Sequence, residues 1–581
     1  MASFASKPSN FDFLKSLRSS KTATLKPCSY LKPSTILRYY QVVGALHFLC
    51  LLRMVLGDSV GLGKTLQAIV GYAYILLKDA AMKLLVVCPK SAMLQWKEEF
   101  EKFTQGITVH VLSEKYAVSK DGTTYGDVEE MRLSGKPYRT LNGFESRKAQ
   151  YDHVQTNVLV CNYFAVQEDY EFLVANRGPR FMVVYDEAQA FKGEKTKTHF
   201  GAEKIAQAAT RVYGMSATLI KNRLEEAFNI YKVIVPGLLG SKTRFYQQYT
   251  VRKKRSIFRH GKKRYFNEIV GYINLEDFKE KIEPYFLIRR TREVAEELPQ
   301  LISKKVEIEM FPEQDALYKQ ALSGELYRSV VKARYFEYKE KYDANPTPTD
   351  KDKETFERLA KQYDNSLTTG GMQDSKIAAL SFCQLVANGP AWIRQEGDSA
   401  KEAEFKRLFE EELRDEKTIV FTRFRTGIVR LEGILDALEM KHVRIDGNMT
   451  SEQRDEAQKA FQDTVRDIRV IFITTAGSAA INLQSANVIM FYDTPWSYGD
   501  VYQTIGRAQR IGSIYKHVVL IHLVCKRTID EHVLKILDKK KVLIRDVMGD
   551  IAEGAMEFKD GILFGESSEN EIDELYHSVF S

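Results

Sequence analysis

Along the chain, short runs of apolar residues alternate with longer stretches in which apolar residues recur every three or four positions. The short runs have the length of strands, and the longer recurrence is that of helices with one buried face. From about residue 34 the runs "RMVLGD", "KLLVVCP", "TNVLVCN", "RFMVVYDE" and "TRVYGMS" are separated by helix-forming segments. The same grammar returns in "KTIVFTRF", "KHVRIDG", "DIRVIFITT", "NVIMFYD" and "HVVLIHLV". Strands alternating with helices predict parallel sheets flanked by helices. Two separate sets predict an α/β chain of two similar lobes rather than one long sheet. Each strand candidate of the first set ends in small, polar or acidic residues, where open α/β sheets bind ligands.

Between the two sets the texture changes. Residues 313 to 343 read as one long helix, and the following "ANPTPTDKDKE", with two prolines, should break it. Residues 113 to 152 carry Gly, Ser, Thr and Lys without clear periodicity and predict a surface excursion. No fixed-period repeat is present.

Composition narrows the class. A chain of 581 residues, 44% hydrophobic and 28% charged, is globular over most of its length and large enough for several packing units. No apolar run approaches the ~18 residues of a membrane span, so no membrane is expected. Six widely spaced cysteines, with no knuckle or redox-pair spacing, fit a reducing compartment. The 85 Lys and Arg against 77 Asp and Glu leave a net charge of +8, which permits a polyanionic partner without requiring one. Residues 1–33 contain one acidic residue, Asp12, and more Lys than Arg, and read as a basic arm rather than a transit peptide.

Candidate chemistry begins after "RMVLGD" with "SVGLGKT" and a helix-forming segment. A strand, a glycine-rich turn and a helix opening on Lys-Thr point backbone N–H groups at phosphate oxygens. Gly61 and Gly63 let the backbone close round a phosphate, Lys64 reaches the β and γ oxygens, and Thr65 holds Mg²⁺. The first position of the usual pattern is Asp58 instead of glycine, which weakens the bare motif. The strand "RFMVVYDE" offsets that weakness by delivering Asp186 for Mg²⁺ and Glu187 to position or activate a water. Gln41 in "LRYYQ" is suited to reading an adenine edge. Arg507 and Arg510 in "YQTIGRAQRIGS" are three apart, share a helix face or turn, and can meet charge on a γ-phosphate.

The ordered set "LRYYQ", "GDSVGLGKTLQAI", "VVCPKSAMLQWKEEF", "VYDEAQAFK", "GMSAT", "FLIRRTREVAEELP", "IVFTRF", "IDGNMT", "TTAGSAAINLQSANVIMFYDTPW" and "GRAQRIG" resembles the motifs of Swi/Snf-type DNA-dependent ATPases of helicase superfamily two. The resemblance spans about residues 36 to 545. It implies two RecA-like lobes with ATP in the cleft between them, helical protrusions in both lobes, and ATP-driven translocation on double-stranded DNA without full strand separation. The implied lobes are 34–297, with a protrusion about 222–287, and 298–549, with a protrusion about 313–395; an acidic tail, 550–581, follows. By resemblance Lys64 and Thr65 are the phosphate and Mg²⁺ residues, Asp186 and Glu187 the acids, Arg507 and Arg510 the arginine fingers, and Gln41 the adenine reader. Ser216, Ala217 and Thr218 match the coupling motif, Gly477 and Asn482 the DNA-contacting motif of the second lobe, and Trp496 the segment after it.

The chain has Asp58-Ser59-Val60 where the family usually has Asp-Glu-Met, Gln189 in place of His, Ser478 in the usual Ala-Gly-Gly turn with Ala480 where another Gly is common, and Gly506 in place of Asp. The phosphate-chemistry residues survive; the altered turn bears on DNA-loop geometry and coupling. No bromo-, chromo-, zinc or histone-reading segment is recognisable, which favours a compact bacterial or viral member over a chromatin remodeller. The expected setting is the cytoplasm of a bacterial or virus-infected cell, or the nucleus of a eukaryotic one. A monomer is expected, with a protein partner in DNA repair, recombination, transcription or defence.

Residues 251 to 264 hold eight Lys or Arg and no acid. They read as a basic hairpin or loop in which Arg252, Lys253, Lys254, Arg255, Lys262, Lys263 and Arg264 lie on DNA phosphates. Two alternatives stay open: a strand-separating DNA or RNA helicase, and a nucleotide-dependent DNA-binding scaffold for a nuclease or polymerase. No aromatic wedge hairpin is identifiable from the sequence, and an intact ATP set argues against the scaffold.

Overall fold

The apolar runs become strands, and two sheets collect them. A computed structural model describes residues 8–18, 22–59, 61–216, 224–259, 262–289, 299–323, 325–367, 376–475, 481–510, 513–548 and 579. The chain forms two units, one built mainly from residues up to Leu298 and the other mainly from Pro299 onward. All six cysteines are free. Among the described residues no helix is long and apolar enough to cross a membrane.

The first unit contains β1 (Arg53–Leu56), β2 (Lys83–Cys88), β3 (Val109–Val111), β4 (Lys115–Ser119), β5 (Tyr125–Gly126), β6 (Tyr138–Asn142), β7 (Val158–Asn162), β8 (Phe181–Asp186), β9 (Arg211–Met215), β10 (Thr250–Arg259), β11 (Lys262–Tyr272) and β12 (Phe286–Leu287). Seven of them make a parallel sheet in the order β12-β1-β9-β8-β2-β7-β3. The central strands β1 and β8 are near-continuous apolar runs because helices cover both faces. Register aligns their ends: Leu56 pairs with Met215, and Met215 with Asp186. The residues that follow β1, β8 and β9 therefore emerge along one edge of the sheet.

The second unit carries β13 (Gln300–Ile308), β14 (Thr418–Phe421), β15 (His442–Ile445), β16 (Val470–Ile473), β17 (Val488–Phe491) and β18 (His517–Cys525). They form a parallel sheet in the order β13-β18-β17-β14-β16-β15.

Several expectations change. Residues 113–152 are no plain excursion: β4, β5 and β6 make a small antiparallel sheet, and Tyr116, Val118, Leu141 and Ala149 give it a core of its own. The single helix expected over 313 to 343 is two, Pro312–Leu322 and Glu325–Asp343. The break falls at Ser323, whose hydroxyl turns back to the Gln320 carbonyl and which a glycine follows in sequence. The proline linker does end the second helix, yet its "DKDKE" end already belongs to the next one, Asp350–Leu367. Thr349 and Asp352 start that helix with reciprocal side-chain to backbone bonds. The insert of the first unit is also not wholly helical. Helices Leu224–Ile234, Lys242–Tyr249 and Leu275–Ile282 flank a two-stranded ribbon, β10 with β11, where aromatic and β-branched residues favour strand.

The basic N-terminal segment packs on the first unit. A helix, Pro8–Arg18, buries Leu14, and Asn10 donates to the Cys50 carbonyl. Leu25 and Leu31 then pack against Ala45, Leu66 and Val70.

Candidate functional site

The turn from β1 into the helix Lys64–Lys78 is shaped by glycine. Gly61 and Gly63 hold φ of 86° and 72°, a left-handed conformation that costs glycine nothing. A Cβ on Gly63 would also lie 2.7 Å from Gln41 Nε2. No side chain caps the helix at Gly63, so its first amides carry the electropositive end of the dipole, which suits an anion. Lys64 Nζ donates to the Asp58 carbonyl at 2.8 Å and to the Ser59 carbonyl at 3.3 Å. Thr65 occupies the first turn of the same helix. Gln41, on the helix Tyr39–Cys50, accepts from Arg38 N at 3.0 Å and donates to the Leu62 carbonyl at 3.4 Å. Its amide thus braces the loop in addition to any base it reads.

The strand end next to this loop holds the acids. Asp186, partly buried, accepts from Trp96 Nε1 at 3.0 Å. Withdrawal from water and the adjacent Glu187 carboxylate push its carboxyl up to about 7, while the Trp96 N–H and the Lys64 ammonium pull it down. Tyr163 donates its hydroxyl to the Asp186 carbonyl at 2.6 Å. Glu187 sits in the left-handed region, φ 55° and ψ 53°, unusual for a side chain of its size. Gln189 donates its amide to the Glu187 carboxylate and accepts from Ser216 Oγ at 2.7 Å. The residue that replaces the family's His therefore joins the acid pair to the serine that follows β9.

A glycine loop with uncapped amides, a lysine, a helix-start threonine and two neighbouring carboxylates, one with a raised pKa, fits a nucleotide triphosphate with a divalent cation. The carboxylate repulsion is what a bound cation relieves. Among the described residues no cluster of three or more His, Cys, Asp or Glu that could hold a metal ion is found.

In the second unit the helix Tyr498–Ala508 ends before Arg510. Arg507 is buried in its last turn, and its carbonyl accepts from Leu483 N at 2.9 Å. Arg510 lies past the cap and returns Nε to the Gly506 carbonyl at 2.8 Å. The two arginines thus share a turn and not a helix face, because the backbone leaves the helix at Gln509. Asn482 N donates to Gln458 Oε1 at 2.8 Å and its carbonyl accepts from Gln462 at 2.9 Å. Trp496 stacks under the Arg423 guanidinium, 3.9 Å from the ring centroid, and both side chains reach Gln384 Oε1.

Arg252, Lys253 and Lys254 are exposed on β10. Arg252 lies over the Tyr246 ring and Lys254 over the Tyr265 ring. Ala217, Thr218, Gly477, Ser478 and Ala480 lie outside the described residues, as do the side chains of Arg255, Lys262, Lys263 and Arg264 and the acidic tail apart from residue 579.

Residues 40–362 match the SNF2-related domain family and residues 400–512 the helicase conserved C-terminal domain. The chain belongs to the SNF2-related family of helicase-like, ATP-dependent enzymes. It is 24% identical to the ATP-dependent helicase YqhH of Bacillus subtilis, over 91% of this chain and 81% of that protein. It is 25% identical to the ATP-dependent helicase MG018 of Mycoplasma genitalium, over 85% of this chain but only 40% of the relative. The human DNA excision repair protein ERCC-6-like is 25% identical over 85% of the chain, which spans 39% of that protein. Among solved structures, the SWI2/SNF2 ATPase core of Sulfolobus solfataricus in complex with dsDNA is 21% identical with a TM-score of 0.36, over 90% of this chain and 94% of that one.

Sequence reasoning assigned no role to Trp96, Tyr163 or Arg289. Trp96 and Phe100, four apart, signal a buried helix face; nothing in that spacing tells that the indole N–H ends on Asp186. Arg289 was visible only as part of "FLIRRTREVAEELP".

Proposed function

We propose that the chain is an ATP-hydrolysing motor that translocates on double-stranded DNA and remodels DNA or protein–DNA complexes without full strand separation. The observation that carries the ATP-hydrolysing part of this reading is the Trp96-held Asp186 beside Glu187, set against a phosphate loop whose lysine bears on the same carboxyl; the motor on duplex DNA is carried by the family membership. In this reading Lys64 and the loop amides bind the phosphates, Gln41 reads the adenine, and Thr65 and Asp186 hold Mg²⁺. When bound, the cation neutralises charge on the β- and γ-phosphates. Glu187, kept in place by Gln189, orients the attacking water and accepts its proton. Arg507 and Arg510 meet the charge that develops on the γ-phosphate. Ser216, Ala217 and Thr218 couple turnover to DNA, which Gly477, Asn482, Trp496 and the basic ribbon contact.

The test is the ATPase rate with no polynucleotide, duplex DNA, single strands, forked DNA and RNA, side by side. The expected result is strongest stimulation by plain duplex. No stimulation by any polynucleotide would reject the motor and favour the scaffold reading.

One observation favours the strand-separating alternative: β10 and β11 form a long hairpin bearing Tyr265, which is 61% exposed. A motor on intact duplex displaces the third strand of a triplex and leaves a blunt duplex paired. Efficient unwinding of the blunt duplex, abolished by Tyr265→Ala, would select the alternative.

A further inference from the structure

Asp58 stands where the phosphate loop usually has glycine, and its side chain is wholly enclosed. A carboxylate withdrawn from water needs a matched partner. Arg289 supplies it from 231 positions away: Nε donates to Oδ1 at 2.9 Å and Nη2 to Oδ2 at 2.5 Å, a two-pronged fork. Gln67, on the helix that the loop opens, donates to the same Oδ2 at 3.0 Å and accepts from Arg289 Nη2 at 2.8 Å. Arg289 Nη1 ends on the Tyr40 carbonyl, one residue before Gln41. The backbone repeats the link, with Gly57 N donating to Leu287 O and Ser59 N to Arg289 O.

The helix Tyr39–Cys50 makes room for this assembly with Gly44. A Cβ there would lie 1.7 Å from Gln67 Oε1 and 3.1 Å from Arg289 Nη2. One guanidinium thus ties together the helix carrying Gln41, the first residue of the phosphate loop and the helix carrying Lys64. The Asp58 carbonyl is in turn an acceptor for Lys64 Nζ.

We infer that Arg289 is a positioning residue for the nucleotide: through Asp58 it sets the path of the phosphate loop and the rest position of Lys64. Asp58 is then no flaw in the loop but half of a clamp whose other half arrives from the far end of the unit. The two-residue strand Phe286–Leu287 pairs with β1, and the backbone of 287–289 stays bonded to Gly57 and Ser59, so the clamp also links the loop to the chain segment that leaves the first unit. This inference rests on the proposed reading of the loop as an ATP site.

The experiment compares the unmutated chain, Arg289→Lys, and the double variant Asp58→Asn with Arg289→Met. Each is titrated with a fluorescent non-hydrolysable ATP analogue and Mg²⁺, with thermal stability measured in parallel. Arg289→Lys keeps the charge and loses the fork. It is expected to stay folded with a lowered melting temperature and to bind the analogue on the order of ten- to a hundred-fold more weakly, the usual cost of a misplaced supporting shell. The double variant removes both charges, so its melting temperature should recover toward that of the unmutated chain while its affinity stays low. If affinity recovers together with stability, Arg289 merely neutralises a buried charge and the inference falls. Equal affinity of Arg289→Lys and the unmutated chain overturns it as well. If the unmutated chain itself fails to bind the analogue, the ATP-site reading has failed, which is a separate result.

Discussion

Each unit places a carboxylate at or just past the carboxyl end of an inner strand of its parallel sheet, and the two are treated in opposite ways. Asp186 ends β8, a central strand of the first sheet, and Asp493 follows β17, a central strand of the second. Burial raises the pKa of both. Asp493 is sealed and satisfied: Thr422 Oγ1 donates at 2.5 Å, Arg423 N at 2.8 Å and Asn388 Nδ2 at 3.1 Å, with the Lys401 and Arg423 charges drawing its pKa back down. Lys401 is itself wholly buried, bonded to Asn388 Oδ1 at 3.0 Å and paired with Asp530 at 2.7 Å. Asp186 instead keeps partial access to solvent and has a second carboxylate as its neighbour. Where the protein provides its own cations and donors the acid is part of the frame. Where it concentrates negative charge at an accessible edge, the acid pair is left open to whatever reaches it from outside.

The largest effect expected from this contrast is on hydrolysis. Glu187→Gln should bind the ATP analogue and lose roughly 10²- to 10⁴-fold in DNA-stimulated turnover, the range of a general base. Asp493→Asn, assayed well below its melting temperature, should keep turnover within the same order of magnitude as the unmutated chain. A Glu187→Gln protein that turns over within a few-fold of the unmutated one would break the assignment of the first strand end to chemistry.

That the strand β8 runs into two adjacent acids, and that a glycine-rich turn leads into a helix opening on Lys-Thr, was legible in the sequence, and the reason is locality. "RFMVVYDE" announces both the strand and the acids in eight consecutive residues, and "GLGKT" needs only its own glycines. The strands that were read are short apolar runs. The ones that were missed are not: β13 is an edge strand, mostly exposed, with Lys304 and Lys305 outward, so no apolar pattern marks it. β12 has only two residues. The sheet of β4, β5 and β6 was illegible because its strands are two to five residues long. Pairings between distant residues were out of reach altogether. Asp58 looked like a defect because Arg289 is far off in sequence, and Asp493 with Thr422 and Asn388 is a cluster that only the folded second sheet assembles.

Stability should cross over between the two acids. At Asp493 an amide would turn N–H toward groups that already donate, so Asp493→Asn should cost about 1–3 kcal/mol, the penalty for unsatisfied buried polar atoms. At Asp186 the amide removes a repelled charge, so Asp186→Asn should raise the melting temperature of the ligand-free protein at pH 8 while abolishing hydrolysis. The sign follows from linkage. A carboxyl raised from 3.8 to about 7 binds its proton more tightly in the folded chain. Its contribution to stability is therefore full below about pH 4 and is lost as pH rises through 7. Asp186→Asn should flatten that decline. Melting curves from pH 4 to 9 for both variants check it, and a parallel shift of the two would erase the distinction drawn between the strand ends.

The smallest effect, and the finest probe of the difference, belongs to the indole that holds Asp186. The Trp96 N–H favours the ionised carboxyl, and a hydrogen bond to a charged group contributes about 1.5–3 kcal/mol when fully buried, less at this partly exposed edge. Trp96→Phe keeps an aromatic ring against Phe100, whose centroid lies 6.2 Å away, but removes the donor. The carboxyl should then hold its proton to a higher pH, by about one unit or less. Because kcat/KM reports groups of the free enzyme, its acid limb should move up by that amount. The variant should run a few-fold slower than the unmutated chain near pH 7 and converge with it near pH 9. Phe100→Leu, which disturbs the same packing and leaves the N–H in place, should lower both ends of the profile alike. If Trp96→Phe behaves as Phe100→Leu does, the indole only fills space, and Asp186 is set by burial and Glu187 alone.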